Sequence, residues 1–325
     1  MTAITPPGGV NHPAQLGVLS VYGHRPGYCL PGSREILLRA IREAGRTAGG
    51  ICGGGLTVKV VLFCGGLGMR MRESAASLVP KPMAMVGERP LLWHVMRYYA
   101  HFGHTDFILC LGYGATAVKD FFLTYDETRS NDFVLELGAK KMELFSTDIS
   151  DWKITFVDTG LNSAIGERLR RVRRHVEGEP MFMANYADVL TDAPLPDMIS
   201  KFQASSAVAG LLAVPPQSSH HVVDIDDDGL ITQVTPMQDL RQWENGGYFL
   251  FRPEIFDHLR EGEDLVEDAL VRLVPQRQVL AYPYKGYWSP ADTVKERARL
   301  EDMYHKGACP WMIWDPERSG AAQAD

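Results

Sequence analysis

A glycine-rich turn with basic side chains after it is the stretch of this chain best suited to chemistry. The turn, residues 64–68, reads Cys-Gly-Gly-Leu-Gly and directly follows the apolar, β-branched run 58–63. Arg70 and Lys81 lie downstream, and a proline on each side of Lys81 stiffens the chain there. Glycines let backbone N–H groups approach an anion closely, and the cations neutralise it. The stretch therefore predicts a triphosphate cradle at the carboxyl end of a buried parallel strand.

This cradle differs from the two commonest phosphate-binding loops. A Walker A loop is absent, and Gly66-Leu67-Gly68 lacks the third glycine of a dinucleotide fingerprint. The order Gly65-Gly66-x-Gly68-x-Arg70, followed by Pro-Lys-Pro-Met at 80–83, is far more specific than a lone Gly-x-Gly. The alternative is a strand followed by a surface turn with scattered basic residues.

Two aspartates are the candidate ligands for a cation that would accompany a triphosphate. Mg²⁺ typically takes one or two carboxylates together with phosphate and water oxygens. Asp188 follows the predicted strand 181–185, and Asp292 lies in the Ser-Pro-Ala-Asp-Thr turn after Trp288. We therefore expect Asp188 and Asp292 to be metal ligands. The alternative is that each is a turn or cap residue, and Asp292 stands where a helix N-cap is expected.

A second group of acidic residues, Asp226-Asp227-Asp228, has two interpretations. It precedes Gly229 and is flanked by two β-branched, alternating runs, which favours a hairpin turn. The alternative is a metal site of the kind found in Asp-x-Asp glycosyltransferases.

The composition excludes several classes of protein. At 325 residues, with a formal net charge of −7, the chain lacks the basic balance of a non-specific nucleic-acid binder. Its five cysteines show no CxxC spacing, so neither a disulfide framework nor a zinc site is indicated. No apolar run reaches the length of a membrane span, and the amino terminus does not resemble a secretory signal. We expect a cytoplasmic protein without a membrane partner.

Strand and helix patterns alternate from residue 58 onward. This alternation predicts an α/β fold with a mostly parallel open sheet, helices on both faces and a small hairpin subregion. We assign residues 58–315 to one domain and 316–325 to a disordered tail. Residues 1–57 are interpreted as an extension that is disordered or not native. One hypothesis is that the native chain starts at Val58, because a GTG codon can also initiate translation in bacteria.

The predicted segments are as follows. Strands are expected at 58–63, 107–111, 152–158, 181–185, 207–214, 246–251 and 279–282, and a hairpin at 225–234. Helices are expected at 33–46, 91–102, 115–123, 166–176, 194–204, 253–259, 263–273 and 293–305, and an irregular stretch at 131–150.

The motifs of residues 58–315 resemble those of the sugar-1-phosphate nucleotidyltransferases, whose signature reads GGxGTRL…PKPM. Within this family the chain is most similar to the glucose-1-phosphate cytidylyltransferases. The segments that carry the resemblance are Cys64-Gly65-Gly66-Leu67-Gly68, Pro80-Lys81-Pro82-Met83, Leu92-Trp93-His94-Val95-Met96, Gly112-Tyr113-Gly114, Phe156-Val157-Asp158-Thr159-Gly160, Gly166 with Arg168-Leu169, Asn245-Gly246-Gly247-Tyr248-Phe249, Gly286-Tyr287-Trp288, Asp292-Thr293 and Pro310-Trp311.

The resemblance implies a GT-A-like, Rossmann-like fold and a Mg²⁺-dependent reaction. A nucleoside triphosphate, with CTP favoured, would react with a sugar 1-phosphate to give a nucleotide sugar and pyrophosphate. It also implies a homo-oligomer. The implied site residues are Arg70 and Lys81 at the phosphates, Gly65, Gly66, Gly68 and Arg168 at the nucleotide, Asn245 and Gly246 at the sugar, and Asp188 and Asp292 at the metal.

The chain departs from the family pattern mainly on the sugar-phosphate side. The family's Glu-Lys-Pro is replaced by Thr235-Pro236-Met237, which removes a phosphate-binding lysine. Arg241, Lys285 or His220-His221 are the candidates to stand in for it, although the His pair also suits a solvated loop. The sugar is therefore expected to differ from glucose.

Three smaller departures lie on the nucleotide and metal side. Met69 replaces the usual Thr or Ser, the loop before Pro80 is one residue longer, and Tyr-Ala-Asp-Val at 186–189 replaces Tyr-Gly-Asp-Gly. Two alternatives stay open. One is uridylyl, thymidylyl or guanylyl transfer on the same fold. The other is a nucleotide-binding regulatory paralogue that has lost turnover.

Overall fold

A computed structural model describes residues 57–66, 80–217 and 220–320. The strands are β1 (Val60–Phe63), β2 (Met85–Val86), β3 (Arg89–Pro90), β4 (Asp106–Leu111), β5 (Phe133–Glu136), β6 (Lys141–Leu144), β7 (Lys153–Asp158), β8 (Phe182–Asn185), β9 (Val189–Thr191), β10 (Ala209–Val214), β11 (His221–Ile225), β12 (Ile231–Pro236), β13 (Glu244–Phe251), β14 (Val279–Pro283) and β15 (Trp288–Pro290). The α-helices are α1 (Leu91–His101), α2 (Ala115–Leu123), α3 (Ile165–Arg171), α4 (Arg173–Val176), α5 (Leu195–Ala204), α6 (Val271–Leu273), α7 (Val294–His305) and α8 (Pro316–Ser319). Short 3₁₀ turns occur at Lys81–Met83, Glu127–Arg129, Met237–Asp239, Pro253–His258 and Val274–Gln276.

Seven of these strands form one central sheet in the order β14-β10-β13-β8-β1-β4-β7. β1 pairs in parallel with both β4 and β8, while β13 runs antiparallel to its neighbours β8 and β10. The prediction of a mostly parallel α/β sheet flanked by helices is confirmed. The chain moves outward from β1 first to β4 and later to β8, so the strand order reverses beside β1. Open α/β sheets bind ligands at such a reversal, outside the carboxyl ends of the strands.

β1 is buried on both faces, as its β-branched run predicts. Its residues Val60, Val61, Leu62 and Phe63 are at most 4% exposed. Alternate residues pack into different clusters, with Val60 and Leu62 in one and Val61 and Phe63 in the other. Each face of the sheet therefore has its own core, and β1 contributes residues to both.

The long helices begin and end near their predicted limits. α1 buries Leu92, Val95, Met96 and Tyr99, the residues that its 3.6-residue period places on one face. It also buries four residues outside that set, Leu91, Trp93, His94 and Tyr98. No helix among residues 57–66, 80–217 and 220–320 is long and apolar enough to cross a membrane.

Several sequence predictions of local structure were wrong. Residues 131–150, expected to be irregular, contain the β5/β6 hairpin, whose turn lacks a strong Asn-Gly signal. The single helix expected over 166–176 is interrupted at Val172, which ends α3 and precedes α4.

Two further expected helices differ in type. Residues 253–259 form a 3₁₀ turn. Most of 263–273 is a π-helix, Leu265–Leu270, before α6. Gly166 lies directly against this segment, because a Cβ there would come within 2.6 Å of the Glu263 carbonyl oxygen.

The acidic run at 226–228 forms a hairpin turn, which confirms the interpretation that the flanking pattern favours. β11 and β12 pair antiparallel on either side of it. The Asp226 carboxylate accepts hydrogen bonds from the backbone N–H groups of Asp228 and Leu230, at 3.1 and 2.8 Å. Gly229 takes the left-handed conformation that closes the turn, with φ of 82°.

The domain limits stay predictions. The extension at 1–57, including the helix expected at 33–46, lies outside the described residues except for Thr57. At the other end, α8 continues the ordered chain past residue 315.

Candidate active site

The ends of three strands meet beside the reversal of the sheet. β1 ends at Phe63 and leads into Gly65, while β8 ends at Asn185 and leads into Asp188. Because β13 is antiparallel to β8, its first residues lie at the same edge. The topology thus brings most of the predicted site residues to one edge of the sheet.

Gly65 and Gly66 have different surroundings. A Cβ on Gly65 would clash with the guanidinium of Arg168 and lie 2.9 Å from the backbone nitrogen of Gly112. Gly66 is exposed, and a Cβ there would have no atom of the described chain within 4 Å. Gly65 is therefore needed for close packing, while the backbone at Gly66 is open to a ligand. Gly68 and Arg70 lie outside the described residues, so their roles stay predictions.

Arg168 is 2% exposed and lies beneath the glycine turn. Its Nη1 donates to the Leu111 carbonyl at 3.3 Å and to Thr159 Oγ1 at 2.8 Å. Its Nη2 donates to the carbonyls of Gly65 at 2.9 Å and Leu161 at 3.2 Å. These bonds tie the segments that follow β1 and β7 to the end of β4, so Arg168 positions the glycine turn. The direct contact with the nucleotide that the resemblance implies stays a prediction.

Lys81 lies between the two predicted metal aspartates. Its Nζ is 2.6 Å from Asp188 Oδ2 and also pairs closely with Asp292 Oδ1. The Lys81 and Asp188 side chains are 17% and 16% exposed, and that of Asp292 is 38% exposed. The two carboxylates therefore converge on a single centre of positive charge.

The electrostatics of this group follow from its partial burial. Burial opposes the charge on Lys81, but the Asp188 and Asp292 carboxylates outweigh that effect and raise the pKa of Lys81. Burial also raises the pKa of Asp188, and the Lys81 ammonium only partly offsets this rise. The Lys81 ammonium therefore favours the charged form of Asp188 against the effect of burial.

The aspartates meet because two short strands pair. β9 begins directly after Asp188, and one residue, Ala291, separates the end of β15 from Asp292. The two strands are antiparallel, with Pro290 opposite Val189. The backbone N–H of Ala291 donates to the carbonyl of Asp188 at 3.0 Å. Asp292 is not the N-cap of α7, because Thr293 fills that position in a capping box with Glu296. The cap interpretation of Asp292 was therefore wrong.

The residues of this pair suit a divalent cation. Carboxylate oxygens are the ligands that Mg²⁺ prefers, and it commonly takes only one or two of them from the protein. Among the residues that the structure describes, no group of three or more His, Cys, Asp or Glu converges on one point. A cation at Asp188 and Asp292 would therefore complete its coordination with substrate and water oxygens.

The turn that leads to Asp188 contains positioning residues that sequence reasoning missed. Ala187 is fully buried and has φ of 65°, a left-handed conformation that is unusual for a residue with a Cβ. Its N–H donates to Oδ1 of the fully buried Asn185 at 2.7 Å. A polar residue that ends an otherwise apolar buried strand was the available signal for Asn185.

The predicted sugar contacts, Asn245 and Gly246, border the same turn. Asn245 Nδ2 donates to the Tyr186 hydroxyl at 3.1 Å, and its Oδ1 accepts from the Gly247 N–H at 3.0 Å. The Gly246 carbonyl accepts from Trp288 Nε1 at 2.9 Å. These bonds hold the loop in place, and contact with a sugar stays a prediction.

The residues proposed to replace the family's lysine lie on separate segments of the chain, at the start of β11, after β12 and after β14. Pro236 ends β12 opposite His221, and the Met237 N–H donates to the His220 carbonyl at 3.0 Å. Arg241 and Lys285 are exposed.

Comparisons with known proteins identify the family of this chain. The nucleotidyl transferase family matches residues 59–295. The chain belongs to this family. Glucose-1-phosphate cytidylyltransferase of Salmonella typhi is 31% identical over 263 residues, which covers 79% of this chain and all of that protein. These matches confirm the resemblance to sugar-1-phosphate nucleotidyltransferases, which Gly65, Gly66 and Lys81 help to carry. The chain is a nucleotidyltransferase.

Solved structures of this class share the fold. The UTP-bound UGPase of Acinetobacter baumannii aligns with a TM-score of 0.58 and 20% identity, over 82% of this chain and 98% of that one. A putative glucose-1-phosphate thymidylyltransferase from Bacillus anthracis aligns with a TM-score of 0.56 and 15% identity, over 75% of this chain and 94% of that one. At these identities the likeness supports the fold alone.

Proposed function

We propose that this chain transfers a nucleotidyl group, CMP from CTP, to a sugar 1-phosphate and releases pyrophosphate. The observation that carries this proposal is the convergence of Asp188 and Asp292 on the Lys81 ammonium beside the glycine turn. The preference for CTP rests on similarity to the cytidylyltransferases. Uridylyl, thymidylyl and guanylyl transfer are the alternatives on the same fold.

The reaction needs charge neutralisation and alignment more than proton transfer. A sugar phosphate already offers an anionic oxygen to attack the α-phosphorus, so no general base or protein nucleophile is required. The barrier arises from repulsion between anions and from misalignment, which cations and preorganised donors lower. In the proposed site Asp188 and Asp292 hold Mg²⁺, which when bound neutralises charge on the phosphates.

The other residues bind and position the phosphates. Lys81 supplies a cation at the phosphates, and Arg70 is proposed to supply a second one. The exposed backbone at Gly66 is available to donate to a phosphate oxygen. Arg168, through its bond to the Gly65 carbonyl, keeps this turn in position.

The acceptor is proposed to be a sugar 1-phosphate other than glucose 1-phosphate. Losing a charge-assisted bond to the phosphate costs about 1.5–3 kcal/mol of binding. Thr235-Pro236-Met237 cannot make the bond that a lysine makes at this position.

The test is pyrophosphate release from a panel of nucleoside triphosphates and sugar 1-phosphates with Mg²⁺. The proposal expects CTP to react fastest, and a sugar other than glucose to be preferred. A higher rate with UTP, dTTP or GTP would replace the nucleotide assignment, and efficient turnover of glucose 1-phosphate would overturn the sugar assignment.

A second candidate function is nucleotide binding without turnover, which only the replacement of Glu-Lys-Pro favours. The outcome that would support it is saturable CTP binding with no pyrophosphate release from any sugar phosphate. The paired Asp188 and Asp292 count against it, because a purely regulatory site has less need of both.

A further inference from the structure

A cavity of about 730 Å³ opens beside the first turns of α1, and we call it the α1 cavity. Its volume lies within the range of about 300–1,000 Å³ that is common for small-molecule sites. Residues from 88–97, 128–132 and 312–318 line it, together with Asp148 and Tyr304. None of the described residues that we place in the candidate active site belongs to this lining. The α1 cavity is therefore separate from that site.

Buried polar side chains in the wall of the α1 cavity hold one another in place. Arg89 and Asp148 are 7% and 8% exposed. Arg89 Nη2 donates to Ser130 Oγ, and this hydroxyl donates to Asp148 Oδ2 at 3.0 Å. The Tyr125 hydroxyl donates to the same carboxylate oxygen at 2.6 Å. These bonds fix the Arg89 guanidinium and the Asp148 carboxylate before a ligand binds.

Two tryptophans give the α1 cavity an aromatic surface. The rings of Trp93 and Trp314 lie at 81° to each other, with their centroids 5.9 Å apart. Trp93 is 6% exposed, whereas Trp314 is half-buried. Trp314 therefore offers the larger surface against which a ligand can pack. Aromatic side chains with a few polar groups are the usual lining of small-molecule pockets.

The charges in the wall do not favour an anion. Four arginines and five carboxylates line the α1 cavity. Arg318 Nε lies 3.7 Å from Asp315 Oδ2, and Arg89 Nη2 lies 3.9 Å from Asp148 Oδ2. Arg129 is also paired, at 3.9 Å from a carboxylate outside the lining.

His94 adds no positive charge at neutral pH, because burial lowers its pKa to about 4. The lining therefore carries no excess of positive charge, which a phosphate group would need.

The remaining charged groups offer hydrogen bonds of both kinds. Arg97 Nη1 donates to the Asp148 backbone carbonyl at 3.1 Å, and the residues that the structure describes place no carboxylate within 4 Å of Arg97. Glu88 and Asp132 are exposed at the rim of the same cavity. A guanidinium only donates and a carboxylate only accepts, whereas a hydroxyl group does both. A ligand rich in hydroxyl groups satisfies this lining without bringing a charge of its own.

We propose that the α1 cavity binds a neutral saccharide. The C–H groups on one face of a sugar ring pack against the Trp314 indole. Its hydroxyl groups accept from Arg97 and donate to the carboxylates of Glu88 and Asp132. This binding is additional to the proposed nucleotidyl transfer, because it uses none of the residues that hold the nucleotide or the metal.

The first test measures saccharide binding to the full chain without nucleotide. Saturation-transfer difference NMR is recorded in titrations with maltose, cellobiose, lactose and sucrose, and at least one should bind saturably. Trp314→Ala should weaken that binding about tenfold, since a packed aromatic ring is lost. Trp243→Ala is the matched control, because Trp243 is 43% exposed and lies outside the α1 cavity. It should bind the saccharide as wild type does.

The second test uses the direction of two charge removals. Arg97→Met and Asp132→Ala should each weaken binding of a neutral saccharide, because one removes donors and the other removes acceptors. An anionic ligand would instead bind more tightly to Asp132→Ala. Methyl glucoside, glucuronic acid and glucosamine share one ring and differ in charge, and the neutral member should bind best. Circular dichroism and thermal unfolding verify that each variant is folded.

Lys81→Met should keep its affinity for the saccharide, so this proposal stands or fails independently of the proposed function. Three outcomes would overturn it. They are no saturable binding of any disaccharide in the panel, an equal effect of Trp314→Ala and Trp243→Ala, and tighter binding of glucuronic acid or glucosamine than of methyl glucoside.

Discussion

Replacement of Lys81 by methionine should reveal whether Asp188 and Asp292 form a cation site. Breaking a buried ion pair by removing one partner costs about 3–5 kcal/mol, whereas an exposed pair is worth about 0–1 kcal/mol. The Lys81 and Asp188 side chains are 17% and 16% exposed and that of Asp292 is 38% exposed, so this group lies between the buried and the exposed case. We therefore expect Lys81→Met to lower the free energy of unfolding by about 2 kcal/mol at neutral pH without divalent cations.

The loss of unfolding free energy in Lys81→Met should depend on pH in a defined direction. Burial raises the pKa of Asp188, and Lys81 opposes this rise. Without Lys81 the pKa of Asp188 rises further. A carboxyl group whose pKa is higher in the folded state than in the unfolded state stabilises the fold at low pH, and this contribution is lost as the pH rises through the folded-state pKa. The difference between wild type and Lys81→Met should therefore shrink as the solution is acidified.

Addition of Mg²⁺ without nucleotide separates a cation site from a purely structural pair. In wild type the metal must compete with the Lys81 ammonium for both carboxylates, whereas in Lys81→Met it does not. A ligand at 100 times its dissociation constant stabilises a protein by about 2.7 kcal/mol, so Mg²⁺ should raise the melting temperature of the variant more than that of wild type.

Lys59→Met is the matched control for this experiment. Lys59 pairs with Glu179 at 2.9 Å, and both side chains are 24% exposed. This variant should lose some stability and respond to Mg²⁺ as wild type does. An equal Mg²⁺ response in Lys81→Met and wild type would refute the reasoning, because Lys81 would then not compete for the metal ligands.

Three further predictions follow from the surroundings of the site. Gly65→Ala should lower the melting temperature by several degrees, since its Cβ meets the fixed Arg168 guanidinium, whereas Gly66→Ala should keep the melting temperature and weaken nucleotide binding measured by calorimetry. A melting temperature unchanged in Gly65→Ala would contradict the packing argument. Ala187→Gly should raise the free energy of unfolding in urea by about 1 kcal/mol, because glycine adopts the left-handed conformation without strain, and a loss would show that the Ala187 methyl group packs usefully. Burial lowers the pKa of His104 to about 4, so stability should fall as the pH drops from about 6.5 towards that value. His104→Asn should flatten this fall in thermal unfolding at several pH values, and an unchanged slope would assign it to other groups.

The elements that sequence reasoning predicted well are those with a long, regular pattern. β1 and α1 bury the residues that their periodicity selects, and the turn at Gly229 carries a strong local signal. The β5/β6 hairpin was missed because its turn has no such signal. The π-helix at Leu265–Leu270 was expected to be α-helical, since a 3.6-residue pattern does not distinguish the two over so short a run.

The burial of Arg168 in the site could not be predicted from the sequence pattern. Residues 166–176 contain several arginines, and only Arg168 is buried with its guanidinium turned to the strand ends. Helical spacing does not reveal this, because a buried arginine depends on carbonyl oxygens contributed by Gly65, Leu111 and Leu161. Such a contact is set by three separate segments of the chain, two of them far from Arg168 in sequence.

The pairing of Asp188 with Asp292 depends on the smallest elements of the fold. Each aspartate could be identified alone, but β9 and β15 have three residues each and are too short for periodicity to detect. Their antiparallel register brings Ala291 to the carbonyl of Asp188 and so fixes the distance between the two carboxylates. The left-handed turn at Ala187, held by Asn185, then directs Asp188 towards Lys81. A strained backbone that persists in a buried turn is characteristic of functional sites, where surrounding contacts over-determine it. The position of the proposed metal ligands is therefore set by the buried end of β8 together with one short strand pair, and a change in either should alter cation binding before it alters the central sheet.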